Sequence, residues 1–313
     1  MSNTEMKPEE VICEPGLRAG DVLLEARNVP LGGVKGVSVN RTLPHKNLPT
    51  IGAFCFVDQF GPTQQPGQIL PHPHTGLQTV TWLFDGIIHH RDSAGSDIMV
   101  RPGQLNLMTA GTGIAHSEYD QQDSQFGFQL WTALPDSDRG VTPHFEQHSD
   151  LPKFSTGSLE AQVFIGSLHG VSSPAKTYTP MVAADLNLQP GTAVIELDPN
   201  FEHGLVFARG SARIEGHDVP TGPLMFLAKG RDRVQIEVDE PTRGILIGGE
   251  PFNEPIVMWW NFIGRTHDEI VAFREQWENH DERFGHVVGH GDEHIPAPPM
   301  PSVSLKARRR RTL

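Results

Sequence analysis

The stretch Val100-Arg101-Pro102-Gly103-Gln104-Leu105-Asn106-Leu107-Met108-Thr109-Ala110-Gly111 has a weakened second copy in Val219-Pro220-Thr221-Gly222-Pro223-Leu224-Met225-Phe226-Leu227-Ala228-Lys229-Gly230. In each copy a glycine turn opens onto a short apolar run. The segment before each copy also ends in glycine: Trp82-Leu83-Phe84-Asp85-Gly86 and Val206-Phe207-Ala208-Arg209-Gly210. The offsets, 119 residues from 100 to 219 and 124 from 86 to 210, suit one β-domain used twice. The polar, proline-containing stretch Asp150-Leu151-Pro152-Lys153 marks the boundary, which predicts domains 1–150 and 151–313.

Outward from the repeat, short β-type runs fill most of the chain: Ile51 to Val57, Thr79 to Phe84, Asp97 to Val100, Gln104 to Met108, Phe126 to Thr132, Ala161 to Ile165, Ala193 to Leu197 and Leu205 to Ala208. Asp85-Gly86, Asp92-Ser93-Ala94-Gly95 and Gln189-Pro190-Gly191 supply turn chemistry between them. Many short strands with regular turns predict a sandwich or barrel, an all-β fold. A single helix is expected late, from Thr266 to His280. There Thr266 is the N-cap, Glu269 a capping-box partner, and Ile270, Val271, Phe273 and Trp277 the apolar positions.

The 313 residues carry 25 basic and 38 acidic side chains, a net charge of −13. That balance excludes a general nucleic-acid surface, which needs clustered Lys and Arg. The exception, Lys306-Ala307-Arg308-Arg309-Arg310-Arg311, reads as a solvated end. Cys13 and Cys55 are too few for a disulfide framework. The start, Met1 to Lys7, lacks the apolar core of a signal peptide, and no apolar run reaches the roughly 20 residues of a membrane span. A cytoplasmic protein is expected.

In Pro71-His72-Pro73-His74 the histidines are one residue apart, so an extended backbone puts both imidazoles on one face. The prolines suit an edge or the start of a strand. His116-Ser117-Glu118 repeats the spacing. On neighbouring strands the two pairs would set three imidazoles and a carboxylate around one point. That donor set suits a divalent iron, copper, nickel or zinc ion. On a metal that prefers six ligands it leaves two positions open for water, dioxygen or a bidentate substrate. His90-Arg91-Asp92-Ser93 reads as a hairpin turn with side-chain caps in preference to a support for the ligands. The run His280, His286, His290 and His294 has no strand or helix period and reads as an exposed loop.

Pro71-His72-Pro73-His74-Thr75-Gly76-Leu77-Gln78-Thr79-Val80-Thr81, then Pro102-Gly103, then Met108-Thr109-Ala110-Gly111-Thr112-Gly113-Ile114-Ala115-His116-Ser117-Glu118, resembles the two motifs of the pirin family. The resemblance is dense from Pro71 to Pro135 and looser to about residue 285. It implies an all-β bicupin: two cupin-type barrels, with an iron(II) site in the first held by His72, His74, His116 and Glu118. Many other cupins carry a carboxylate where this chain has Gln78, which makes Glu118 the anionic ligand. Shifting the ligand positions by the repeat offsets gives Glu196, Asp198, Gln235 and Glu237, with no imidazole among them, so the second barrel is expected to be structural.

Some pirins cleave quercetin with dioxygen. The resemblance therefore implies a dioxygenase that takes a flavonol or related enolic compound, with Glu118 as the base that accepts the substrate hydroxyl proton. Other pirins bind regulatory proteins. The alternative is thus a non-enzymatic, iron-dependent redox sensor that modulates a regulatory protein partner.

Overall fold

The computed structural model describes residues 20–31, 37–46, 48–64 and 66–307. The expectations for Met1 to Lys7, Cys13 and Arg308 to Arg311 lie outside the described residues.

Among the described residues twelve strands precede residue 150: β1 (Val22–Leu24), β2 (Arg27–Leu31), β3 (Val37–Leu43), β4 (Phe54–Thr63), β5 (Gln68–His74), β6 (Leu77–Asp85), β7 (Ile88–Asp92), β8 (Asp97–Val100), β9 (Leu105–Thr109), β10 (Ile114–Asp120), β11 (Gln125–Ala133) and β12 (His144–His148). Eleven of them build the first barrel from two sheets, ordered β12-β9-β6-β11-β4-β3-β2 and β5-β10-β7-β8. Val- and Phe-rich sequences such as that of β4 fit a pleated, buried surface. Pro71 and Pro73 are tolerated because β5 is an edge strand, where a missing N–H breaks no ladder.

The second barrel has the same strand order. Its larger sheet runs Leu224–Leu227, Glu202–Arg209, Thr242–Gly249, Met181–Leu188, Leu159–Ile165, Lys153–Thr156. These match β9, β6, β11, β4, β3 and β2 in turn. Its smaller sheet, Gly191–Glu196, Arg233–Val238, Ala212–Ile214, His217–Val219, matches β5, β10, β7 and β8. The repeat in the sequence is thus one barrel built twice. The predicted cut near 150 falls between β12 and Lys153–Thr156, but one segment crosses it: β1 pairs with Leu224–Leu227 at the edge of the second barrel.

The large sheets pack face to face, and Phe54, Trp82, Phe128 and Leu130 of the first meet Phe164, Ile165, Val206 and Ile245 of the second. Burying one such phenylalanine contributes about 1.5–3 kcal/mol. Trp82 stacks on Phe164 with centroids 4.4 Å apart. Its indole N–H donates to Asp185 Oδ2 (3.0 Å), which also accepts from Arg243 Nη2 (2.7 Å).

The run expected as a strand from Ile51 begins as a turn. Ile51 and Phe54 exchange backbone hydrogen bonds of 2.9 Å around Gly52, and β4 starts only at Phe54. Gly52 has φ +53°, and a Cβ there would come within 2.8 Å of Gly249 Cα, so this contact between barrels requires glycine.

The single helix among the described residues, α1, spans His267–Glu278 with Thr266 as N-cap. Thr266 Oγ1 accepts from Glu269 N (3.2 Å), as expected. The Glu269 carboxylate accepts from Arg265 N (2.6 Å), one residue before the cap, so the capping box is displaced by one position. Asn279 caps the C-terminus and His280, at φ +53°, turns the chain out of the helix. Among the described residues no helix is long and apolar enough to cross a membrane.

Candidate metal centre

β5 and β10 are antiparallel neighbours, and His116 lies directly opposite His72. The register then slips, because Glu118 faces Ile69 and β5 holds the extra residue. Pro71, which has no N–H to pair, lies in that bulge. The bulge leaves the Leu70 carbonyl to accept from His72 Nδ1 (2.8 Å). With its Nδ1 proton so committed, a neutral His72 presents the Nε2 lone pair inward.

His72 Nε2 lies 2.8 Å, and His74 Nε2 3.1 Å, from His116 Nε2. His72, His74 and His116 form a group whose ligand atoms all lie within 4.8 Å of one another. Burial holds the His72 pKa down at about 4 and those of His74 and His116 well below the ordinary imidazole value, which keeps all three rings neutral near pH 7. The three Nε2 atoms converge from two strands on one point. That spacing is the one metal ligands take: cis ligands at a bond length of about 2.1 Å are separated by about 3.0 Å, whereas tetrahedral ones would be about 3.4 Å apart. The residues present therefore fit a divalent metal with open positions.

Glu118 is buried on β10, two residues beyond His116, and its charge acts on His72. The three-histidine group forms without it. Gln78 is turned elsewhere: its amide donates to Thr109 Oγ1 (2.9 Å) and to the carbonyl of Lys176 (3.2 Å), towards the second barrel. A carboxylate introduced at 78 would therefore start from the wrong side of β6. In the second barrel, Asp198 accepts from Asn200 N (2.8 Å) and Gln235 donates to Glu237 (2.7 Å), contacts of surface turns and strands.

Two neighbours of the site were not assigned to it from sequence. His90 and Asp92 on β7 face Glu118 and His116 across the ladder. Asp92 does cap the turn as expected, accepting from Ala94 N (2.9 Å) and Ser96 N (3.0 Å) through Oδ1. His90 is also buried, with Nδ1 3.3 Å from His116 Nδ1. The signal was the i, i+2 spacing of His90 and Asp92, the same alternation that aligns the ligands. His290 corrects the exposed-loop reading: it is buried, with Nε2 2.9 Å from Ser117 Oγ and Nδ1 3.3 Å from Tyr119 Oη. No period announces it, because its partners are on β10.

Two barrels of one topology, with three histidines converging in the first, define a metal-site bicupin. The Pirin family model matches residues 36–132 and the Pirin C-terminal cupin domain model residues 183–285. The chain belongs to the pirin family. It is similar to the crystal structure of quercetin 2,3-dioxygenase from Acinetobacter baumannii, with 39% identity and a TM-score of 0.87 over 93% of this chain and 98% of that one. Human pirin is 31% identical over 252 residues, 75% of this chain and 84% of its own. The bacterial pirin YhhW from Escherichia coli, solved with nickel(II), shares the fold at 19% identity and a TM-score of 0.59, covering 74% of this chain and all of that one.

Proposed function

We propose that the protein is a cytoplasmic iron(II)-dependent dioxygenase acting on quercetin-like flavonols or related enolic compounds. The observation that carries this reading is the convergence of three neutral imidazoles at the spacing of cis ligands, in a chain 39% identical to a protein solved as a quercetin 2,3-dioxygenase. His72, His74 and His116 would hold the metal, and Glu118 would complete the set as the anionic ligand. When bound, the metal supplies Lewis acidity and a meeting point for substrate and dioxygen.

The chain's own residues do the rest. Burial keeps the imidazoles unprotonated and ready to ligate. Trp131 lies edge-on to His74 with centroids 5.2 Å apart and stacks on Phe56 at 4.0 Å, which fixes the ring of His74 and closes that wall to water. Glu118 is the carboxylate positioned to accept the proton of a substrate hydroxyl.

Anaerobic reconstitution with Fe(II), followed by oxygen uptake against a panel of flavonols and other enediol-like compounds, tests the reading. Substrate-dependent uptake is expected. Metal-loaded protein that turns over none of the panel would overturn it in favour of a redox-sensing partner of a regulatory protein.

A further inference from the structure

The three histidines differ in what holds the ring edge away from the site. His72 donates to the Leu70 carbonyl, and the Asn261 backbone acts on His74. Both partners are fixed amide dipoles. His116 instead faces a side chain: its Nδ1 is 3.3 Å from His90 Nδ1, and His90 Nε2 is 3.0 Å from Asp92 Oδ2.

The chemistry gives this chain a direction. A carboxylate only accepts, so His90 must place its proton on Nε2. With that proton on Nε2, the Nδ1 lone pair of His90 faces His116 Nδ1 and accepts the proton His116 carries there. That leaves His116 Nε2 without a proton, facing the other two ligands. The order is Asp92, His90, His116, metal.

The chain is built rigidly. His90 and Asp92 are buried, at 4% and 2% exposure. Phe145 stacks on the His90 ring with centroids 4.4 Å apart, and the backbone N–H groups of Ala94 and Ser96 hold the far carboxylate oxygen. The His90 and Ser96 hydrogen bonds outweigh burial and keep the Asp92 carboxyl below its ordinary range, ionised at neutral pH.

We propose that Asp92 and His90 form a hydrogen-bonded relay that sets the tautomer of His116 and strengthens its donation to the bound metal. Asp92 and His90 are positioning residues: neither is among the three converging ligands. This rests on the metal-site reading above. A carboxylate pulling on the far proton makes the imidazole a stronger donor, which tightens binding and favours the higher oxidation state. Asp92→Asn is the sharp variant, because an amide can keep the Ala94 and Ser96 contacts through its oxygen while presenting N–H to His90. The chain then reverses, and the proton of His116 is driven onto Nε2, where the metal must bind.

The experiment uses the full chain with Zn(II) and Ni(II) in competition titrations and with iron for potentiometry. Asp92→Asn should weaken Zn(II) and Ni(II) about 10–100-fold, the range for such supporting partners, and shift the Fe(III)/Fe(II) midpoint to more positive values. A merely structural Asp92 would lower the stability of the metal-free protein and leave the midpoint where it was. Affinities within twofold of the parent with an unchanged midpoint would overturn the relay. Should Asp92→Asn fail to fold, 15N-histidine NMR of the unaltered protein, metal-free and Zn(II)-loaded, decides the matter: the relay requires the proton on Nε2 of His90 and Nδ1 of His116, and the opposite tautomers overturn it. If the unaltered protein takes up neither metal, the metal-site reading itself falls, and the relay's role falls with it. If it binds, and Asp92→Asn matches it in both affinity and midpoint, the relay alone falls.

Discussion

Ser117 Oγ and His290 Nε2 lie 2.9 Å apart although 173 residues separate them in the chain. Ser117 sits between the ligand His116 and Glu118, on the opposite face of β10. The C-terminal segment is laced to that outer face: Ile295 N donates to the Pro71 carbonyl (2.8 Å), and Ala115 N donates to that of Phe284 (3.1 Å). The strands carrying the ligands are thus held from behind by residues beyond α1.

His290→Ala removes a partner from the buried Ser117 hydroxyl and from Tyr119. A loss of about 1–3 kcal/mol is expected in urea unfolding, the cost of leaving a buried polar group unsatisfied. A change under about 0.5 kcal/mol, the size of an ordinary surface substitution, would show that the contact does not hold the strap.

His72→Ala combined with His116→Ala should abolish metal uptake, measured by metal analysis after anaerobic reconstitution. In the parent, free metal at a hundred times Kd should add about 2.7 kcal/mol of stability, lost on chelation. A full equivalent of metal in the double variant would place the site elsewhere.

Glu118→Gln should retain much of the metal, since the three imidazoles form their group without it. A positioned base contributes about 10² to 10⁴ in rate, so the metal-replete variant should lose at least about a hundredfold in kcat on a flavonol. Full activity with full metal content would remove Glu118 from both assigned roles.

His203, in the second barrel, is buried with neither ring nitrogen hydrogen-bonded, and burial holds its pKa down at about 4. The unfolded chain, with its imidazole near 6.5, binds the extra proton first on acidification. Stability is therefore full above pH 6.5 and falls as the pH drops from 6.5 towards 4, by about 3 kcal/mol for this residue. His203→Leu should flatten that limb in denaturant titrations at pH 7, 5.5 and 4.5. An unchanged slope would mean that the ring titrates normally.

Asp185→Ala leaves both Trp82 Nε1 and the Arg243 guanidinium without their shared acceptor between the barrels. The Arg243 side chain is 35% exposed, so water recovers part of the loss. About 2–3 kcal/mol of destabilisation is expected, below the cost of breaking a fully buried pair. A melting temperature equal to that of the parent would contradict it.

Legibility followed locality. The ligand pairs were readable because residues i and i+2 of a strand share a face, and Thr266 because a cap acts within one turn. The doubled barrel was readable because Gly86 and Gly210 punctuate matching strands. His90 was hidden by its neighbour, since Asp92 does cap a turn and that sufficed to explain the stretch. His290 and the pairing of β1 with Leu224–Leu227 join residues far apart in the chain, and no sequence period encodes such contacts. Gln78 shows the converse: its position in the motif suggested a ligand site, but the strand turns its side chain to the other barrel.

The pairing of Val22–Leu24 with Leu224–Leu227 also has a timetable. During synthesis, β1 leaves the ribosome about two hundred residues ahead of its partner. At about 5–20 residues per second it waits on the order of 10–40 s, far longer than a hairpin takes to close. The first barrel can assemble in that interval, but the second gains its edge strand from Val22–Leu24, which precedes the other strands of both barrels. The second barrel therefore closes last, and damage to Val22–Leu24 would be felt there although that strand is made before the rest of either barrel.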